Sequence, residues 1–259
     1  MTAPPDPRPL PGPGAFWTLR KRWQGMFREL RSSGHRLAKT MPESLRRRLD
    51  GPVSYADMLL VDHGIFRLAY LNRHSLGTNA FRSAQPAPRD IALFARQGIR
   101  TILNLRGPRD CGSYRLESKE CAGQGIALID FTLGSRAAPP KATIHAAARL
   151  FDSIAYPMLM HCKSGADRAG LMAVLYMHLK EGRPMSEAVG QLSPLYGHFR
   201  SGHTGILDAF FAQYVAFDAM TPIPFLEWVD LHYDPVALKR DFRPSGLGAL
   251  LVDGVLMRE

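Results

Sequence analysis

Pro157-Met158-Leu159-Met160-His161-Cys162-Lys163-Ser164-Gly165-Ala166-Asp167-Arg168-Ala169-Gly170 is the stretch whose reading decides the fold. Its first residues are mostly apolar and short enough for a buried strand, and from Leu171 to Met177 the sequence is a continuous helix-forming run. The reading is strand, tight loop, helix. A loop in that setting turns several backbone N–H groups and the positive end of a helix dipole on one spot, which makes an anion site before any side chain is counted. Cys162 lies at its floor, where the donors that hold a phosphate also favour a thiolate. Arg168, six residues on, can return over the loop and grip phosphate oxygens with paired hydrogen bonds. The bland alternative, Cys162 as a small buried residue at a strand end, leaves the glycine, the arginine and the flanking elements as coincidence.

His161, Cys162, five further residues and Arg168 resemble the HCxxxxxR loop of cysteine-dependent protein tyrosine and dual-specificity phosphatases. The resemblance implies a phosphatase of phosphomonoesters, with Cys162 taking the phosphoryl group as a cysteinyl-phosphate intermediate. Lys163, Ser164, Gly165, Ala166, Asp167 and Arg168 would bind the phosphate, with no metal and no other cofactor. Rhodanese-like sulfurtransferases also cradle a loop cysteine, but in a loop that is shorter or lacks this arginine. Phe81-Arg82-Ser83-Ala84-Gln85-Pro86, the segment Gly98 to Gly107 (GIRTILNLRG) and the catalytic stretch, in that order, are similar to a group of atypical bacterial and fungal dual-specificity phosphatases. That similarity spans about residues 78–180 and implies an α/β fold, a central mostly parallel sheet flanked by helices.

Two aspartates compete as general acid. Asp130 lies 32 residues before Cys162, a spacing that resembles the acid-bearing loop of dual-specificity phosphatases. Asp167 lies within the loop, as in myotubularin-like and broad-specificity bacterial phosphatases active on phosphoinositides, and is favoured here; its other role is to fix the loop. Lys163 would suit a multiply phosphorylated substrate, so phosphoinositides and inositol phosphates stand as an alternative to phosphoproteins. A catalytically weak phosphate-binding module is the further alternative. Ala169 departs from the family, which usually has Ser or Thr there to assist breakdown of the phosphoenzyme, and slow turnover is expected. His161 is expected to pack and hydrogen-bond beneath the loop. His198 and His203 read as surface residues with no third metal ligand, and Cys111 and Cys121 as free thiols.

Composition bounds the rest. The 259 residues are 46% hydrophobic and 22% charged, ordinary for a globular enzyme. Three cysteines make no disulfide framework, and a thiolate enzyme needs a reducing compartment. With no apolar run of membrane-spanning length and no apolar signal core in residues 1–14, a cytoplasmic protein is expected. Its formal charge of +10 is uneven: residues 1–50 hold eleven Lys or Arg against four Asp or Glu, a balance of +7.

The expected organisation is a Pro-rich tail over 1–14, a basic leader over 15–52, a catalytic domain over 53–235 and a C-terminal tail over 236–259. In the leader, Phe16, Leu19, Trp23 and Leu30 recur at helical spacing among arginines. Residues 15–48 therefore read as an amphipathic helix that either docks on the domain or lies on an anionic membrane surface, placing the protein peripherally on the inner membrane face. Trp17 and Trp23 suit either role. Nucleic acid is excluded as a partner, because no base-reading motif accompanies the charge, and the sequence leaves the oligomeric state open.

Overall fold

The computed structural model describes residues 42–244 apart from His63. The expected tail over 1–14 and nearly all of the amphipathic helix over 15–48, with Trp17 and Trp23, lie outside the described residues, as do residues 245–259. The chain divides into two units, 1–53 and 54–259.

Helix α1 (Glu43–Ala56) runs through Gly51-Pro52, the pair expected to close the leader. It continues as a π-helical turn (Asp57–Val61) and is followed by α2 (Gly64–Ala69). Then come β1 (His74–Ser75), β2 (Ala80–Ala84), α3 (Pro88–Arg96), β3 (Thr101–Asn104), α4 (Gly112–Gln124), β4 (Ala127–Asp130), α5 (Lys141–Ser153), β5 (Met158–Cys162) and α6 (Asp167–Leu179). After α6 come α7 (Met185–Ala188), 3-10 turns at Val189–Gln191, Pro194–Tyr196 and His203–Gly205, then α8 (Ile206–Met220), α9 (Phe225–Leu231) and α10 (Pro235–Asp241).

The sheet order is β1-β2-β5-β3-β4, with β1 antiparallel to β2 and the other pairs parallel. This is the mostly parallel sheet flanked by helices that the alternation of elements predicts. β5 is central and buried along its whole length, because helices cover both faces and a strand so placed carries a continuous apolar run. The period of two still sorts its side chains. Met158 and Met160 join the larger core with α5, α6 and α8, while Leu159 joins Ile91, Phe94, Ile102 and Ile126 on the other face. α6 is buried all round from Asp167 to Met177, as an apolar helix between sheet and outer helices must be.

The expected boundary at 235/236 is corrected. α10 begins at Pro235, capped by Asp234 Oδ1 accepting from Val236 N at 2.8 Å. Leu238 is buried in the larger core and Phe242 packs against it, so the domain continues beyond the expected end. Apolar side chains that far along have a core to reach.

Candidate active site

The parallel strands end together. Register pairs Ala84 with Cys162, His161 with Asn104, and Asn104 with Asp130, so the ends of β2, β5, β3 and β4 form one edge. The loop after β5 lies on that edge and runs directly into α6, as α/β folds place their ligand sites. Cys162 is the last residue of β5 and is 2% exposed; Arg168 sits in the first turn of α6 and is also buried.

Four successive loop carbonyls are met by donors from outside the loop. Lys163 O accepts from Gln85 N at 3.4 Å, and Ser164 O from Asn72 Nδ2 at 3.0 Å. Gly165 O and Ala166 O both accept from Arg82 Nη2, at 2.7 and 2.9 Å. Carbonyls held outward are what an anion nest requires, since its inner side is lined by N–H groups. Gly165 permits the close approach. Its φ is +74°, and a Cβ there would stand 2.6 Å from Ala84 N and 2.7 Å from Ser83 C.

Arg82 is fully buried and also donates from Nη1 to Gln191 O at 2.7 Å and to Gln191 Oε1 at 2.9 Å. Its guanidinium lies 4.4 Å from the centre of the Tyr196 ring. Asn72 takes a left-handed backbone, φ +50°, and its amide also donates to Tyr196 O at 2.9 Å. The turn carrying Tyr196 is thus tied to the same two side chains that hold the loop.

Beneath the loop runs a buried polar chain. The carboxylate of Asp62, from the turn after the π-helix, accepts from Arg106 Nη1 and Nη2 at 2.7 and 2.9 Å and from Ser113 Oγ at 2.7 Å. It also meets Arg67 at 3.1 Å and Lys163 Nζ at 3.9 Å. Burial alone would raise its pKa, but the hydrogen bond and charge of Arg106, then Arg67 and Lys163, hold it well below the usual carboxylate range. Arg106 also bonds Gln85, whose amide donates to Glu117 Oε2 at 2.7 Å, and Glu117 Oε1 lies 2.6 Å from His161 Nε2. His161 is fully buried next to the cysteine, as expected of a residue packed beneath the loop.

His198 departs from its expected surface position. It is 1% exposed, with Nδ1 2.7 Å from Asp167 Oδ1 and Nε2 2.7 Å from Asp208 Oδ2 on α8. Burial alone would lower its pKa, yet the hydrogen bonds to both carboxylates carry it above the ordinary histidine value. The imidazole joins Asp167, at the start of α6, to α8. His203 is exposed as expected.

Asp130 is exposed at the end of β4, where it accepts from Asn104 Nδ2 at 2.7 Å and Tyr114 OH at 2.6 Å. That bond, with burial, pushes the Tyr114 phenol up to about 12. Two strand spacings, about 10 Å, separate β4 from β5. Ala169 is fully buried in α6 and brings no hydroxyl to the cysteine. Cys111, Cys121 and Cys162 are all free thiols. Among the described residues, no helix is long and apolar enough to cross a membrane, and no group of three His, Cys, Asp or Glu is placed to hold a metal ion.

Sequence reasoning found the loop and missed Arg82, Asn72, Asp62 and His198. Arg82 lies in a quoted motif, but as one arginine of a strand it carried no sign of its contacts.

A family model described as a DSP-PTPase phosphatase fused to NAD+ kinase matches residues 71–201. No curated protein matches the chain. Among solved structures, TpbA of P. aeruginosa is 17% identical over 63% of this chain and 91% of its own, with a TM-score of 0.49. Tk-PTP in its active form is 17% identical over 56% of this chain and 99% of its own, TM-score 0.44. PTPMT1 is 17% identical over 57% of this chain and 99% of its own, TM-score 0.42.

Proposed function

The chain belongs to the dual-specificity and tyrosine phosphatase family whose model spans residues 71–201, and from that premise we propose that it hydrolyses phosphomonoesters through a cysteinyl-phosphate on Cys162. The observation that carries this reading is the row of four outward carbonyls after Cys162, which is what an anion nest requires. In the reaction Cys162 Sγ attacks phosphorus as the ester oxygen departs, and the loop amides with Arg168 hold the equatorial oxygens as their charge builds. Water then attacks the phosphocysteine, the S–P bond breaks, and inorganic phosphate leaves. With Ala169 in place of a hydroxyl residue, this second step is the slow one.

The structure shifts the balance between the two candidate acids. Asp167 is bonded to the buried His198, which ties it to Asp208 on α8 and supports a loop-fixing role. Asp130 faces solvent on the loop-bearing edge, and we assign it the protonation of the leaving oxygen. Lys163 has Asp62 as a nearby counter-charge, which supports a singly phosphorylated group, such as a phosphorylated protein side chain, over a polyphosphorylated lipid or inositol. The experiment is phosphate release from an activated aryl phosphate in the presence of a chelator. Wild-type protein should give a burst of phenolate followed by slow turnover, and Cys162→Ser should abolish both. Undiminished turnover in that variant overturns the mechanism.

A further inference from the structure

Arg82 heads the fully buried side chains by size, and it is a cation. Its four hydrogen bonds go to Gly165 O, Ala166 O, Gln191 O and Gln191 Oε1, all oxygens of neutral groups. Among the described residues none of its bonded partners is a carboxylate. Asp167 acts on it through charge alone, and that carboxylate is already bonded to His198.

A buried ion without a counter-charge is costly, by several kcal/mol in a typical interior. Fixing two carbonyls does not require that cost, since a neutral amide can donate to them as Asn72 does for Ser164 O. What sets this position apart is its place, behind the cradle on the side away from the bound anion. Burial lowers the guanidinium pKa to about 10, with attraction to Cys162 first among the influences holding it up, so the group is charged at neutral pH. An anion in the loop supplies a charge that none of its bonded partners carries.

Resting on the phosphatase reading above, we propose that Arg82 is a positioning residue whose buried charge helps to balance the phosphoryl dianion from behind the loop. Arg168 grips the phosphate in front, and Arg82 attracts it through the loop without contact. The low local dielectric makes such an attraction strong at a distance where water would screen it.

Gln191 offers a test that leaves Arg82 in place. Gln191→Glu puts a carboxylate of nearly the same shape where Gln191 Oε1 now accepts from Arg82 at 2.9 Å, neutralising the cation while keeping its bonds. Inorganic phosphate binding to the full chain is measured by calorimetry, alongside turnover of an aryl phosphate and thermal unfolding. Wild-type protein that neither binds phosphate nor turns over the ester contradicts the phosphatase reading itself, before any variant is compared. Given wild-type binding, Gln191→Glu should bind phosphate about tenfold more weakly and show a raised KM with a smaller change in kcat, while its unfolding temperature is not lowered. Phosphate affinity within about twofold of wild type overturns the proposal. Should Gln191→Glu fail to fold, Arg82→Lys against Arg82→Gln decides: a charge effect leaves the lysine variant closer to wild type in phosphate affinity, and equal losses in both overturn it.

Discussion

Asp167 Oδ1 and His198 Nδ1 stand 2.7 Å apart, and the other nitrogen of that imidazole reaches Asp208 at the same distance. A carboxylate of the cysteine loop is thereby fastened to a helix far down the chain. This pairing separates the roles of the two candidate acids by experiment. Protonating the leaving oxygen matters for an alkyl or tyrosyl phosphate and hardly at all for an activated aryl ester. Asp130→Asn should slow the poor leaving group by about a hundredfold, spare the activated one and flatten the basic limb of the pH profile. Asp167→Asn should harm both substrates alike, because a loosened loop misplaces Arg168 in every transition state. The opposite pattern, measured as kcat/KM on the two esters, returns the acid role to Asp167.

His198 predicts a pH dependence of stability. Its pKa in the folded protein is raised, since its bonds to Asp167 and Asp208 outweigh burial. The protonated imidazole therefore binds its proton more tightly folded than unfolded. The resulting stabilisation is fully present below the unfolded value of about 6.5 and is lost as pH rises through the higher folded value. Denaturant unfolding of wild type and His198→Gln should differ most near pH 6 and converge towards pH 9. A constant difference across that range shows that the histidine serves by shape alone.

Gly165→Ala and Gly182→Ala make a matched pair. Both glycines have positive φ, +74° and +68°, but a Cβ at Gly182 meets nothing within 4 Å, whereas one at Gly165 collides with the backbone of Ser83 and Ala84. Each alanine should cost about 1 kcal/mol or more through backbone strain. Only Gly165→Ala should also abolish phosphate binding and lower kcat/KM by about a hundredfold or more, because its loop must part from β2. Equal kinetics in the two variants would disprove the contact.

The basic leader is tested on vesicles. Arginines interleaved with aromatics over 15–48 should bind the full chain to anionic lipid, with affinity falling as salt rises and no binding to neutral vesicles. Salt-independent association, or none, favours a leader that docks on protein.

The candidate site's loop was legible because its pattern is local: cysteine, glycine and arginine lie within seven residues between a strand and a helix. Its supports were not, because each reaches it from far along the chain. Arg82 and Gly165 are 83 residues apart, Asn72 and Ser164 92, and His198 and Asp167 31. Periodicity reports which face of an element is apolar and says nothing of which distant polar group will meet it. His198 read as a surface residue because the sequence offered it and His203 no third metal ligand, and nothing near it points to Asp167. The helix through Gly51-Pro52 shows a related limit, since a Gly-Pro pair that usually marks a boundary was absorbed into α1.

Asp62 stands nine residues before the start of the family match at 71, yet its carboxylate holds Arg106 and Arg67 from within the interior. A polypeptide begun at residue 71 would keep every residue of the cysteine loop and lose the counter-ion to the buried Arg106 guanidinium. Removing one partner of such a pair costs about 3–5 kcal/mol, a large share of a typical domain's stability. Recombinant fragments of this protein therefore need to begin upstream of the π-helical turn at Asp57–Val61. Insolubility of a piece that begins at residue 71 would report interior partners lost with Asp62 rather than an inactive enzyme.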